Sequence, residues 1–143
     1  PLLNLTTINM LRNIMPHFHI EYSANLEESV DMAALCEAIR VRAANIDAFP
    51  MPGIRVRATR VDHYAIADGS TKHGFIDLSV RLREGRAQDV KEEAILTIFD
   101  VVKTFMAPIM QTRSVALSAE MRDIDASVSP KFGNIRDHLE DSV

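Results

Sequence analysis

The chain has 143 residues, 47% of them hydrophobic and 25% charged, which suits one compact domain with its own core and excludes a wholly disordered chain. A formal net charge of -4 excludes a nucleic-acid binder that works by neutralising phosphates, yet leaves room for a local basic cluster around a small anion. The single cysteine, Cys36, cannot close an intrachain disulfide, which fits a reducing cytoplasm, and no apolar run approaches the ~20 residues of a membrane helix.

In chain order, residues 1–15, "PLLNLTTINMLRNIM", lack the basic-then-apolar order of a secretory signal, since Arg12 follows the apolar residues. From Pro16 the pattern alternates: Phe18, Ile20 and Tyr22 fall on one strand face, His17, His19 and Glu21 on the other. "SANLEESVDMAALCEAIRVRAANI" predicts a helix with a Ser/Asn start and Met32, Leu35, Ile39, Ala43 and Ile46 near helical spacing. Pro50 and Pro52 end it, because neither can donate to a continuing helix.

Ile54 opens a second extended stretch, "IRVRATRVDHYAIA", which a turn at Asp68-Gly69 follows. "GFIDLSVRL" alternates again, with Ile76, Leu78, Val80 and Leu82 on one side. A long amphipathic helix is predicted over roughly 87–107, with Val90, Ala94, Ile98, Val101 and Phe105 on one face and Pro108 at its end. "SVALSAEM" is the last strand, and "NIRDHLED" suits a short terminal helix.

The order strand, loop, long helix, strand thus occurs twice, beginning about 60 residues apart. This predicts an α/β (α+β) fold of duplicated βαβ units: a four-stranded mixed sheet with two long helices on one face. The opposite sheet face then needs cover, which a second subunit would provide, so a homo-oligomer is expected.

Pro16 carries the chemical question. Inside a chain its nitrogen is a tertiary amide; as a first residue it is a secondary amine with a lone pair, at the edge of a sheet and the start of a strand. An α-amino group titrates near pKa ~8, and burial beside cations lowers that value, making it a base near neutral pH. "PHFHIEYSANL", "FPMPGIRVR", "YAIADG", "LREGR" and "ALSAEM" follow in an order and spacing that resembles the 5-carboxymethyl-2-hydroxymuconate isomerase family of the tautomerase superfamily. The resemblance covers residues 16 to about 140; its most specific parts are Pro-His-Phe and the later Phe-Pro-x-x-Gly-Ile-Arg.

That resemblance implies a homotrimeric, cofactor-independent isomerase in the breakdown of an aromatic acid by ring cleavage. Pro16 would be the general base that moves a proton from the 2-hydroxyl of a dienol acid to a carbon further along, giving a 2-oxo-ene product. Arg55 would bind a carboxylate and stabilise the dienolate, with Arg86 as second substrate-binding arginine and Arg57, on the same strand face as Arg55, as third. No metal, nucleic acid or membrane is expected as partner, only a small carboxylate substrate. His17, His19 and Glu21 could be read as a metal site, but no further ligand stands at a convincing spacing. Cys36 reads as a buried structural thiol and the seven methionines as core fillers.

Two other readings differ in chemistry. A superfamily relative that dehalogenates a haloacrylate needs a water-activating acid or tyrosine beside Pro16, for which Glu21 and Tyr64 are available. A non-catalytic oligomeric binding protein follows if the preceding residues stay attached and block Pro16.

Residues 1–15 are therefore set apart as an N-terminal extension, and 16–143 as a single tautomerase-like domain. The preferred origin of the extension is an upstream start or the expression system, with translation beginning at Met15 and methionine removal favoured by the small residue after it. The alternatives are a block removed by proteolysis and a copy that has lost catalysis. Pro1 is a weaker rival to Pro16, because "PLLNL" lacks the His-Phe that follows.

Overall fold

A computed structural model of the chain describes residues 15–140. The proposed packing of Leu2, Leu3, Leu5, Ile8 and Leu11 on a neighbour, and the rival Pro1, lie outside the described residues.

Strand β1 (His17–Ser23) buries Phe18, Ile20 and Tyr22 and turns His17, His19 and Glu21 to the other face, as its alternation requires. The helix does not begin at Ser23. Ala24–Leu26 form a single 3-10 turn, and the α-helix α1 spans Met32–Ala43. Ser23 is fully buried, accepting the Phe75 N–H and donating to Asn25, so its hydroxyl serves the sheet. Asp31 is the cap instead, its carboxylate accepting the Ala34 N–H at 3.0 Å.

After α1 the chain passes Phe49, which meets Phe18 edge-on with ring centres 5.0 Å apart. It then makes a 3-10 turn at Met51–Gly53 and enters β2 (Arg55–Val61). β2 is shorter than its sequence pattern, because residues 62–72 turn away through positive φ at Ala67 and Gly69. β3 (His73–Arg83) buries Ile76, Leu78, Val80 and Leu82. Glycine at residue 74 eases its start beside β1: a Cβ there would stand 3.0 Å from Leu26 Cδ2 and would make that side chain shift.

The second helix, α2 (Gln88–Met110), outruns the expected end and holds Pro108 in its last turn. Pro108 is exposed, and the carbonyl it leaves unpaired belongs to the exposed Thr104, where water can replace the lost donor. The buried row is Ala94, Ile98, Val102 and Met106, an unbroken i, i+4 series. Val90 is exposed, and Val101 and Phe105 flank the row half-buried. β4 (Ser114–Ile124) completes a sheet of order β2-β1-β3-β4.

Pairing is parallel within each half, β1 with β2 and β3 with β4, and antiparallel between halves, β1 with β3. The duplicated βαβ expectation holds, with both helices over one sheet face. Two expectations change. β1 is a central strand, so Pro16 stands at the end of an interior strand and not at a sheet edge. The open sheet face is polar: His17, His19 and Glu21 on β1 lie among Arg55, Arg57 and Thr59 on β2 and Asp77, Ser79 and Arg81 on β3. Burial of apolar surface there is therefore no reason for a partner; what lies unpaired among the described residues are the outer edges of β2 and β4.

Beyond β4 the chain forms a 3-10 turn at Ala126–Val128 and another at Ile135–His138. The first is tied to the end of β3, where Glu84 accepts the Ala126 N–H at 3.2 Å. The second packs against the Met51–Gly53 turn that leads into β2. Residues 125–138 thus cross one end of the sheet from the β4 side to the β2 side.

Candidate active site

Pro16 lies at the end of the sheet that this crossing covers. It is buried, and its carbonyl accepts the Arg55 N–H at 3.1 Å, which extends the parallel ladder one residue past β1. The register sets His17 between Arg55 on β2 and Arg81 on β3, with side chains on the open face. Arg57 reaches back along β2, and its Nη1 donates to His17 Nδ1 at 3.2 Å. A guanidinium has no acceptor, so Nδ1 is the unprotonated nitrogen and the ring proton sits on Nε2.

His17 is held neutral. Desolvation, followed by the positive charges of Arg81, Arg57, Arg55 and Lys131, lowers its pKa from 6.5 to about 4. Desolvation also lowers the pKa of Lys131, with help from Arg83 and Arg81. Among the described residues, Arg55, Arg57, Arg81 and Lys131 form no ion pair with a carboxylate. Arg122, next to Arg81 on β4, is neutralised by Glu120 at 2.6 Å. One end of an acidic protein therefore carries concentrated, uncompensated positive charge, the requirement for holding a polyanion.

The two remaining arginines of the sequence reading are placed differently. Arg55 is half-buried, and its Nη1 donates to the Gly53 carbonyl at 3.0 Å, which steers the guanidinium back toward the 3-10 turn. Arg86 arrives from the far side of β3, through a turn in which Gly85 takes φ 112°, a conformation that favours glycine. Its Nε donates to the Ala48 carbonyl at 3.0 Å and its Nη1 to the Arg83 carbonyl at 3.4 Å, while desolvation and then Arg83 lower its pKa. Arg86 is thus a brace between the end of β3 and the chain leading to Phe49. It approaches the same sheet end without touching His17, Arg55 or Arg57. Its Nη2 makes no hydrogen bond among the described residues.

Other sequence candidates fall elsewhere. His19 pairs with Thr59 at 2.9 Å, and among the described residues no three His, Cys, Asp or Glu side chains gather to hold a metal ion. Tyr64 stacks edge-on against Phe75, toward the opposite end of β3 from Arg81, with ring centres 6.1 Å apart. Glu21 sits four residues along β1 from His17, roughly 13 Å at strand rise. Neither stands beside Pro16 to activate water. Cys36 is half-buried rather than buried, and desolvation raises its pKa, which keeps the thiol unreactive. No described helix is long and apolar enough to cross a membrane.

Sequence reasoning missed Arg81 and Lys131. Arg81 carried a signal, since it occupies the polar phase of "SVRLR" and pairing β3 with β1 puts it beside His17. Lys131 carried none, because only the crossing of the C-terminal segment brings it there.

Comparison with known proteins agrees with this geometry. Residues 16–139 match the family model described as 5-carboxymethyl-2-hydroxymuconate isomerase. The chain is 31% identical over 121 residues to the Escherichia coli 5-carboxymethyl-2-hydroxymuconate Delta-isomerase, covering 85% of this chain and 96% of that protein. A crystal structure of a 5-carboxymethyl-2-hydroxymuconate delta-isomerase is similar with TM-score 0.81 and 33% identity, covering 90% of this chain and 95% of the other. So is the 5-carboxymethyl-2-hydroxymuconate isomerase from Deinococcus radiodurans R1, with TM-score 0.81, 32% identity, and 88% and 95% of the two chains covered. Sheet order, the proline at the matched start and the cationic end of the sheet lead to one conclusion: this chain belongs to the 5-carboxymethyl-2-hydroxymuconate isomerase family.

Proposed function

We propose that this isomerase converts 5-carboxymethyl-2-hydroxymuconate, or a closely related 2-hydroxymuconate-type acid, to its 2-oxo-ene isomer, with Pro16 as general base. The amine accepts the proton of the 2-hydroxyl and delivers it to a carbon at the far end of the conjugated chain, so no atoms are gained or lost. Arg55 binds a carboxylate and offsets the negative charge of the dienolate; Arg57 and Arg86 hold further carboxylate oxygen. The single observation that carries this reading is the field around His17. Burial, followed by the neighbouring positive charges, holds the imidazole neutral down to a pKa of about 4, and the same surroundings disfavour the protonated form of a proline amine at the adjacent, buried residue.

The chemistry requires a free Pro16 nitrogen. The working chain therefore begins at Pro16, and residues 1–15 do not belong to the active form. The working assembly is a homotrimer. In support, β4 offers an outer edge of 11 residues that is unpaired among the described residues, and the C-terminal crossing exposes Phe132 completely, together with Val128 and Ile135. A second copy covers such features, and sedimentation of the Pro16-initiated chain as a monomer would rule the trimer out.

The deciding experiment follows the ultraviolet absorbance of 5-carboxymethyl-2-hydroxymuconate with the full chain and with a chain starting at Pro16. Turnover by the shorter chain alone is expected, and Pro16→Ala in that chain should retain the fold while losing at least about 10-fold in kcat. Equal turnover by both chains would remove Pro16 from the base role.

A further inference from the structure

We infer that Lys131, carried across the sheet end by the C-terminal segment, forms with Arg81 a separate subsite for one carboxylate of the substrate, and that this subsite makes the enzyme select a tricarboxylate over a dicarboxylate. The inference rests on the proposed function and specifies which part of the ligand this end of the sheet reads.

The position of Lys131 follows from two anchors, both present in a chain that begins at Pro16. At one side the crossing is tied by Ala126 to Glu84, just beyond β3. At the other, Ile135–His138 packs on the Met51–Gly53 turn before β2. Lys131 lies between these two anchors, near the end of β3 and the start of β1, where its charge acts on His17 and is itself acted on by Arg83 and Arg81.

The ammonium is positioned and still has capacity. It donates to the Ser129 carbonyl at 3.1 Å and to Ser129 Oγ at 2.9 Å. An ammonium has three donors, so one hydrogen is left for a ligand. Neither the half-buried Lys131 nor the exposed Arg81 is paired with a carboxylate among the described residues, and an anion joining them would offset their mutual repulsion.

The substrate supplies the complement. A muconate has a carboxylate at each end, and the 5-carboxymethyl branch adds a third. Arg55, Arg57 and Arg86 account for the two chain ends; the branch needs a cation displaced from them. Arg81 lies across β1 from Arg55, on the opposite flank of His17, and Lys131 approaches from above the strand ends. A carboxylate bound there also compensates the charges that, after burial, depress the pKa of His17.

The test uses the Pro16-initiated chain and the variants Lys131→Met, Lys131→Arg and, as control, Lys103→Met on the exposed surface of α2. Steady-state kinetics are compared on 5-carboxymethyl-2-hydroxymuconate and on 2-hydroxymuconate, which lacks the branch. Lys131→Met is expected to raise KM for the tricarboxylate by about 10-fold, with kcat and the dicarboxylate's KM unchanged, and Lys131→Arg to restore most of the affinity. An equal effect on both acids, or none on either, overturns the subsite. Should the parent chain turn over neither acid, the proposed reaction fails while the subsite stays testable by calorimetry with tricarballylate and glutarate. Preference for tricarballylate that Lys131→Met abolishes upholds it, and absence of preference in the parent chain overturns it.

Discussion

Arg55 touches Pro16 through its backbone, N–H to carbonyl at 3.1 Å, while its guanidinium is turned by the Gly53 carbonyl. The two functions of this residue are separable: the backbone bond fixes the strand end, and the side chain supplies charge. Arg55→Ala should leave the backbone bond and the thermal unfolding midpoint in place while lowering kcat about 100-fold or more, the usual cost of removing a donor aimed at developing negative charge. Arg55→Lys should recover only part of this, since an ammonium cannot form the two-pronged contact. Unchanged turnover of the dienol acid by Arg55→Ala would remove the residue from the reaction.

The neutral imidazole of His17 gives a pH signature. Its folded pKa, about 4, lies below the unfolded 6.5, so the unfolded chain binds more protons between these values. The stabilisation is therefore complete above about pH 6.5 and is lost as pH falls through 4. Because His17 is only half-buried, solvent screening limits the effect to about 1 kcal/mol. In an NMR titration its ring should titrate near 4 in the free protein and at higher pH once a tricarboxylate is bound. A midpoint near 6.5 without ligand would mean that the cationic cluster does not act on this ring.

Phe49 links the site to the core. It is 2% exposed, meets Phe18 edge-on, and is followed directly by the turn that aims Arg55. Phe49→Ala should destabilise the fold by about 3–5 kcal/mol in urea denaturation, from lost burial and the cavity left behind. It should also raise KM, because the Ala48 carbonyl that braces Arg86 belongs to the same stretch. A loss under 1 kcal/mol would show that the neighbouring side chains refill the space.

Much of the architecture was legible in the sequence, because alternation in β1 and β3 is written locally in Phe18-x-Ile20-x-Tyr22 and Ile76-x-Leu78-x-Val80-x-Leu82. The helix start was misjudged because the hydroxyl of Ser23 can cap a helix or bond a neighbouring strand, and only the presence of Phe75 across the sheet decides between them. The site was half legible. Pro16, Arg55 and Arg57 follow from one strand pair, whereas Arg81 needs the antiparallel register between the halves, and Lys131 needs a crossing whose course depends on the Ala126–Glu84 bond and the packing of Ile135–His138 on Met51–Gly53.

The duplication gives the sheet a second corner related to the first. His73 opposite Ser114 starts the second parallel pair as His17 opposite Arg55 starts the first, and antiparallel joining of the halves sends this counterpart to the far end of the sheet. There Lys72 holds the position of Pro16 with its nitrogen locked between two neighbours in mid-chain, and serine stands in place of arginine. His73 is bonded to Asp68 at 2.9 Å and to Ser114 at 2.8 Å, a closed chain that fastens the preceding loop. Joining two similar halves in one polypeptide leaves one amino terminus for two related corners, so each molecule can arm one of them and is free to spend the other on holding itself together.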